Sequence, residues 1–269
     1  MKKSNELKRD LKSVFSAFVI PASIVAGILV YMYVMGSPKN FQGFNHDNAP
    51  LPGNYLGVVY KGGFIVPILM ALLMIVITFA IERYITIRKA NGKGSVTQFV
   101  RKIKSLLLEG KIDEAKAECD KQKGSVANVV QAALIKYQLM EEDTTISKDQ
   151  KLVTIQKEVE EGTALELPSL EQNLVILATI SSIATLMGLL GTVLGMIRAF
   201  SALANAGAPD SVALANGISE ALINTALGIG TAALAIITYN VFTTMVDKLT
   251  HSIDEAGFSL VQSYAVKHK

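Results

Sequence analysis

At 269 residues and 28.9 kDa the chain has room for one or two soluble domains, yet half of it is hydrophobic, 18% is charged and its mean hydropathy is +0.37. Globular chains carry about 25% charged residues, and here the apolar surplus lies in long uncharged runs, which argues against a soluble fold and for a bilayer protein. One cysteine (Cys119) excludes a disulfide framework, three scattered histidines (His46, His251, His268) have no metal-ligand spacing, and a net charge of +3 is too small to suggest nucleic-acid binding.

Four runs are free enough of charge to cross a hydrocarbon layer of ~30 Å, which takes roughly 20 helical residues. The first lies between Lys12 and Lys39, the second is 62–81, the third is 172–197, and the fourth is 211–246, interrupted only by Glu220. Backbone in lipid must satisfy its own hydrogen bonds, so each run is expected to be a helix and the fold class all-α, a polytopic membrane protein with four transmembrane helices. The last two are expected to be long and to extend into the cytoplasm, because the fourth run is too long to be contained by the bilayer. The first run exceeds the ~7–15 apolar residues of a signal peptide and reads as a retained anchor.

Lysine and arginine distribution sets the sides. Five precede the first span, two lie between the first and second, fifteen fall between Arg83 and Lys157, none in 199–210, and three follow Val246. The positive-inside rule then places both termini and the middle region in the cytoplasm, with 37–61 and the turn 199–211 outside. The expected organisation is a cytoplasmic N-terminus (1–12), a first transmembrane helix (13–36) and an external loop (37–61). A second span (62–82), a cytoplasmic helical region (83–171), a transmembrane hairpin (172–245) and a cytoplasmic C-terminal segment (246–269) follow.

The loop 37–61 is rich in Gly, Pro and Asn, which favour turns. In the cytoplasmic region Leu106, Ile112, Ala115 and the stretch 126–134 recur at helical spacing, with Gly110 and Gly124 as stops. So few apolar residues are not expected to form an independent core, so these helices should pack beside extensions of the spans. Glu82 and Arg83 read as a cytoplasmic stop, and Pro168 should kink or restart the chain before the third span.

The hairpin is where polar chemistry enters the apolar runs. Ser181, Thr185, Gly188, Thr192, Gly195 and Ala199 fall on one face of the third span, and such small residues let another helix approach closely in lipid. In the fourth span Asn216, Glu220, Asn224, Gly228 and Thr231 form a polar-to-small stripe, with Gly217, Ala221 and Thr225 beside it. An intramembrane carboxylate costs ~2.5–3.5 kcal/mol on insertion scales, so Glu220 is the leading candidate for a functional or water-lined site. Thr192 and Thr225 can donate and accept and so steer a water chain, although threonines in such helices also bond their own i−4 carbonyls. Thr185, Gly188, Asn224, Gly228 and Thr231 read as pore-lining or helix-packing positions, with Asn224 as interhelical glue, and Arg198 as an anchor snorkelling at the outer end of its helix.

Several segments together resemble the ExbB/TolQ branch of the MotA/TolQ/ExbB proton-channel family. They are GLLGTVLGMIRAF (188–200), GISEALINTALGIG (217–230), Tyr239–Asn240, Ile81–Glu82–Arg83, GKIDEA (110–115) and Leu170–Glu171. The resemblance covers roughly residues 60–245. It implies an inner-membrane subunit, a homopentamer, whose last two spans enclose the single helices of an ExbD/TolR-like partner carrying a membrane Asp. It further implies that proton flow energises a TonB/TolA-like protein spanning the periplasm, that no cofactor or metal is needed, and that the chain is not an enzyme. The family's presumed proton pathway falls on Thr192, Glu220 and Thr225.

Two features depart from the branch: residues 1–50 add a helix to the usual three spans, and Thr185 stands where a proline commonly precedes the LLGT stretch. Other readings are a TolQ-like subunit of a Tol-Pal envelope system, another MotA-type stator, or, in a different class, a structural membrane scaffold whose polar stripes only join helices. An intramembrane enzyme has little support, because no His or Cys lies in a span and one carboxylate cannot act as a paired acid and base.

Overall fold

The computed structural model describes residues 2–46, 48–205 and 211–267, with the side chains of 2–14, 16 and 205 left aside. The centre of the expected 199–211 turn (206–210) and His268 lie outside the described residues. Among those described, the regular structure is helical, with one isolated antiparallel bridge between Phe41 and Pro50 and short turns between the helices. The helices are α1 (Lys2–Leu29), α2 (Tyr55–Tyr60), α3 (Ile65–Ala90), α4 (Val96–Leu108), α5 (Ile112–Gln122), α6 (Gly124–Glu142), α7 (Lys148–Glu171), α8 (Leu174–Asn205) and α9 (Ser211–Lys267). Four stretches are long and apolar enough to cross a membrane: Ala17–Met35, α3, the run ending in α8, and α9. The protein is an all-α polytopic membrane protein, as its charge-free runs require. At 57 residues α9 is roughly 85 Å long.

The chain divides into two units. The first contains Met1–Ile81 and Val175–Tyr239. Its core lies along α3, where Ile65, Val66, Leu69, Ile75, Val76 and Phe79 are buried. The additional helix α1 packs on α3: a Cβ on Gly27 would sit 3.0 Å from the Ala71 amide nitrogen and the Pro67 carbonyl, and Phe15 meets Phe79 edge-on. α1 ends in a π-helical turn (Val30–Met35) whose Tyr31 stacks on Tyr60 at 4.6 Å and donates its hydroxyl to the Tyr60 carbonyl at 3.1 Å. Asn40, buried, donates to the Val34 and Met35 carbonyls, both at 2.8 Å, satisfying acceptors that a helix end leaves without partners. Asn54 bridges Asn40 to the first turn of α2. The 37–61 loop is thus pinned by two asparagines rather than loose.

The second unit contains Glu82–Leu174 and Asn240–Lys269. Gly110 (φ +72) follows α4 and Gly124 (φ +85) opens α6, both where a stop was expected. Leu106, Ile112, Ala115, Val126, Val130 and Leu134 all face inward. The core is completed by the end of α9: Tyr264 meets Tyr137 edge-on at 4.8 Å and donates to the Met140 carbonyl, and the Ser263 hydroxyl donates to the Leu107 carbonyl. The middle region therefore packs with a helix that also carries a span, as its modest apolar content demanded. Ser147 and Gln150 form a reciprocal cap at the start of α7.

The interruption before the third span falls later than expected. Pro168 lies inside α7, and the Gln172 amide still bonds the Pro168 carbonyl; the break comes at Asn173, which takes φ +66. The reason is Arg83, which is not a solvated stop but is fully buried. Its guanidinium donates to the Ser169 and Leu170 carbonyls at 3.3 Å, capping the last turn of α7, and holds both oxygens of Glu82 at 2.5 and 2.6 Å. Thr86 and Asn173 also donate to that carboxylate. Replacing Arg83 with Ala would leave these carbonyls without that donor and Glu82 without its cation, and a loss of about 3 kcal/mol is expected, read as earlier thermal unfolding of the detergent-solubilised chain.

Cys119, in α5, is buried, and burial pushes its thiol up to about 12. An acid whose folded value is raised contributes stability below its unfolded value and loses it as pH climbs through the gap. Stability should thus fall between pH ~9 and ~12, and maleimide should label Cys119 at pH 7 only after unfolding.

Candidate functional site

α8 and α9 approach backbone to backbone. A Cβ on Gly188 would lie 3.1 Å from the Asn224 carbonyl oxygen and the Gly228 Cα, and one on Gly195 would lie 2.7 Å from the Ala221 amide. Gly217 presses on Ala199 and Gly228 on the Ala184 carbonyl at comparable distances. Small residues at every second contact thus let two polar stripes meet with almost nothing between them.

At the middle of this seam the hydroxyls of Thr192 and Thr225 hydrogen-bond each other. Each also lies within hydrogen-bond distance of a carbonyl on its own helix, Thr192 of Gly188 at 3.2 Å and Thr225 of Ala221 at 3.1 Å; with one proton each, one hydroxyl donates across the seam and the other along its helix, so the pair is both glue and a polar spot in an apolar seam. Thr185 bonds the Ser181 carbonyl, and Thr231 is buried.

Glu220 faces another way. It precedes Thr225 by five residues, a rotation of roughly 140° on a helix. Among the described residues no hydrogen bond joins it to either threonine. Its carboxylate instead lies against the Gly62–Gly63 linker that starts α3: Gly63 has φ +78, and a Cβ there would collide with Glu220 Oε1. Asn224, fully buried one turn further, donates to the Gly62 carbonyl at 2.8 Å and fixes that wall. Glu220 is 7% exposed.

Arg198 has a partner that sequence reasoning did not assign. It does not merely anchor a helix end; its Nη1 donates to Glu220 Oε1 at 2.5 Å, and its guanidinium stands 5.9 Å from the centre of the Phe64 ring. A signal for this was present. Thr192 with Thr225, Gly188 with Gly228 and Arg198 with Glu220 are each about equally distant in sequence from the short connection between α8 and α9. Reading the hairpin as a fold-back would have paired the arginine with the acid. The Gly62–Gly63 wall carried no such signal, because it comes from a different span.

These features define a membrane protein whose polar site is built into a close-packed helix hairpin. Residues 121–255 match the model of the MotA/TolQ/ExbB proton channel family, and the chain belongs to that family, on its ExbB/TolQ side. It is 38% identical over 86 residues to an ExbB-like biopolymer transport protein of Synechocystis, covering 31% of this chain and 41% of that one. It is 44% identical over 75 residues to the Tol-Pal system protein TolQ of Haemophilus influenzae, covering 28% and 33%. An ExbB homologue of Methanothermobacter thermautotrophicus is 28% identical over 197 residues, covering 72% of this chain and 65% of that one. The chain thus spans less than two thirds of each relative's length.

Because the seam leaves no room for added volume, Gly228→Leu should destabilise the hairpin by about 1–3 kcal/mol, with Gly230→Leu, whose Cβ meets open space, as the tolerated control. Thermal unfolding of both variants in detergent checks the difference.

Proposed function

We propose that this chain is an ExbB-like proton-channel or motor subunit of a bacterial inner membrane, with both termini in the cytoplasm, that couples proton motive force to TonB-dependent outer-membrane transport. The observation that carries the reading is the combination, in one hairpin, of a buried membrane carboxylate and a hydroxyl pair (Thr192 and Thr225) at the point of closest helix approach. A proton crossing lipid needs a titratable group and polar neighbours that hold water, and Glu220 with the two threonines supplies both. Membership in a proton channel family supports the same assignment.

In this proposal five copies surround an ExbD/TolR-like single-span partner whose membrane Asp carries the proton in turn, and a TonB/TolA-like protein receives the motion. Each 100 mV of potential supplies ~2.3 kcal/mol per charge, so a few protons suffice to shift a packed helix interface between two arrangements. The exposed, apolar remainder of α8 and α9, including Val193, Ile197, Leu222 and Ile229, suits contact with lipid or with neighbouring helices. The similarity to TolQ supports a second assignment, to a Tol-Pal-type envelope system, with the same site and mechanism. The buried Asn224 bond to Gly62 favours a scaffold role for that residue in either case.

Partner-dependent proton flux into inverted membrane vesicles of the host tests the reading. Glu220→Gln and Thr225→Val should each lower flux at least tenfold while the complex keeps its size. Normal flux with normal expression would withdraw the channel assignment. Loss of the complex before loss of flux would favour the scaffold.

A further inference from the structure

The connection between the first two spans carries a helix whose surface does not suit water. α2 reads YLGVVY: no side chain is charged, and the two tyrosine hydroxyls are its polar side-chain groups. Its inner side is set by Gly57, where a Cβ would stand 2.8 Å from the Asn40 carbonyl oxygen, and by Tyr60, stacked on Tyr31. The side turned away presents Tyr55, 82% exposed, with Leu56 and Val58 also exposed. A lone exposed apolar residue needs no explanation, but a whole helix with an uncharged, apolar outer side marks a contact with something other than solvent.

Hydrogen bonds fix how far α2 stands from the bilayer. The span Ala17–Met35 ends in the π-helical turn, and Asn40 donates to its Val34 and Met35 carbonyls at 2.8 Å each. Asn54, which caps α2 by accepting from the Gly57 amide, donates to Asn40 Oδ1 at 3.0 Å, so the helix begins on the end of the span. It finishes beside that end. Tyr60 stacks on Tyr31, takes its hydroxyl at the backbone carbonyl, and lies over Gly36, where a Cβ would come 2.6 Å from the Tyr60 ring. Tyr31 is four residues before Met35, so α2 is held within about one helical turn, ~5 Å, of the end of a transmembrane span. That is the depth at which hydrocarbon gives way to headgroups.

We propose that α2 is an interfacial membrane element, whose Tyr55, Leu56 and Val58 side lies in phospholipid at the end of the bilayer where the first two spans are joined. Tyrosine suits that layer, because its ring is apolar and its hydroxyl can donate to phosphate or ester oxygens. Tyr33, on the last turn of the first span, is 73% exposed and offers the same chemistry. The asparagine clamp meets the other requirement of this depth, that backbone groups find partners within the protein. A helix of six residues does not hold its shape alone, so the clamp forms it and lipid covers it.

The sequence contains no tryptophan, so Tyr55→Trp and Leu56→Trp each report from one place without background. Both positions are exposed, and neither substitution disturbs the Asn40–Asn54 clamp. Each full-length variant is reconstituted in phosphatidylethanolamine–phosphatidylglycerol vesicles in which part of the lipid carries bromine, either near the top of the acyl chains or near their ends. Both tryptophans should lose about twofold in emission to the shallow bromines, less to the deep ones, and little to iodide supplied on both sides of the membrane. Val25→Trp, at an exposed position midway along the first span, should show the reverse order of bromine quenching and so calibrates depth. Quenching by iodide with no response to either bromine puts α2 in water and overturns the proposal. Shielding from bromine and iodide alike means that a second copy of the chain or another protein covers this side, and overturns it too. Neither readout involves proton flux, so the result stands or falls separately from the channel assignment.

Discussion

Two helices cannot be held together in lipid by the exclusion of water, and the near-contact of the α8 and α9 backbones is what replaces that force. Gly188 against Gly228 and Gly195 against Gly217 and Ala221 bring the helices close enough for dispersion and hydroxyl contacts to hold them. Everything polar in the hairpin follows from that distance. With leucines at these positions, Thr192 and Thr225 would not reach each other, and Arg198 would not reach across to Glu220.

The same closeness sorts the polar residues of α9 by direction. Thr225, with Gly217, Ala221 and Gly228, looks at α8, whereas Glu220 lies against the linker that starts α3, and Asn224 meets both, packing beside Gly191 of α8 and donating to the Gly62 carbonyl. A carboxylate placed in the α8–α9 seam would have no volume to occupy. On the linker side, Gly63 leaves a recess of the right size, and Arg198 reaches it from the rim. The acid and Thr225 therefore sit on two faces of one helix.

A different buried arginine organises the second unit. Arg83 serves both as the ion-pair partner of Glu82 and as the cap of α7, so the interruption at Asn173 is set by a side chain from α3 rather than by Pro168. Proline tolerates a position inside α7 because only one amide is missing, whereas the orphaned carbonyls of the next two residues, Ser169 and Leu170, demand a donor.

Residue order by itself determined the number and limits of the apolar spans, the helical class, and the presence of a carboxylate and two threonines in the hairpin. All of these depend on local properties: a charge-free run of sufficient length, and a 3.6-residue period that places side chains on one face. The stops at Gly110 and Gly124 were legible for the same reason. Only the tertiary structure decided that Arg198 faces Glu220, that Gly63 forms the wall behind it, that Arg83 is buried, and that Glu220 points away from Thr192 and Thr225. Those facts depend on which faces of distant segments meet and at what distance, and no period within a single segment encodes that.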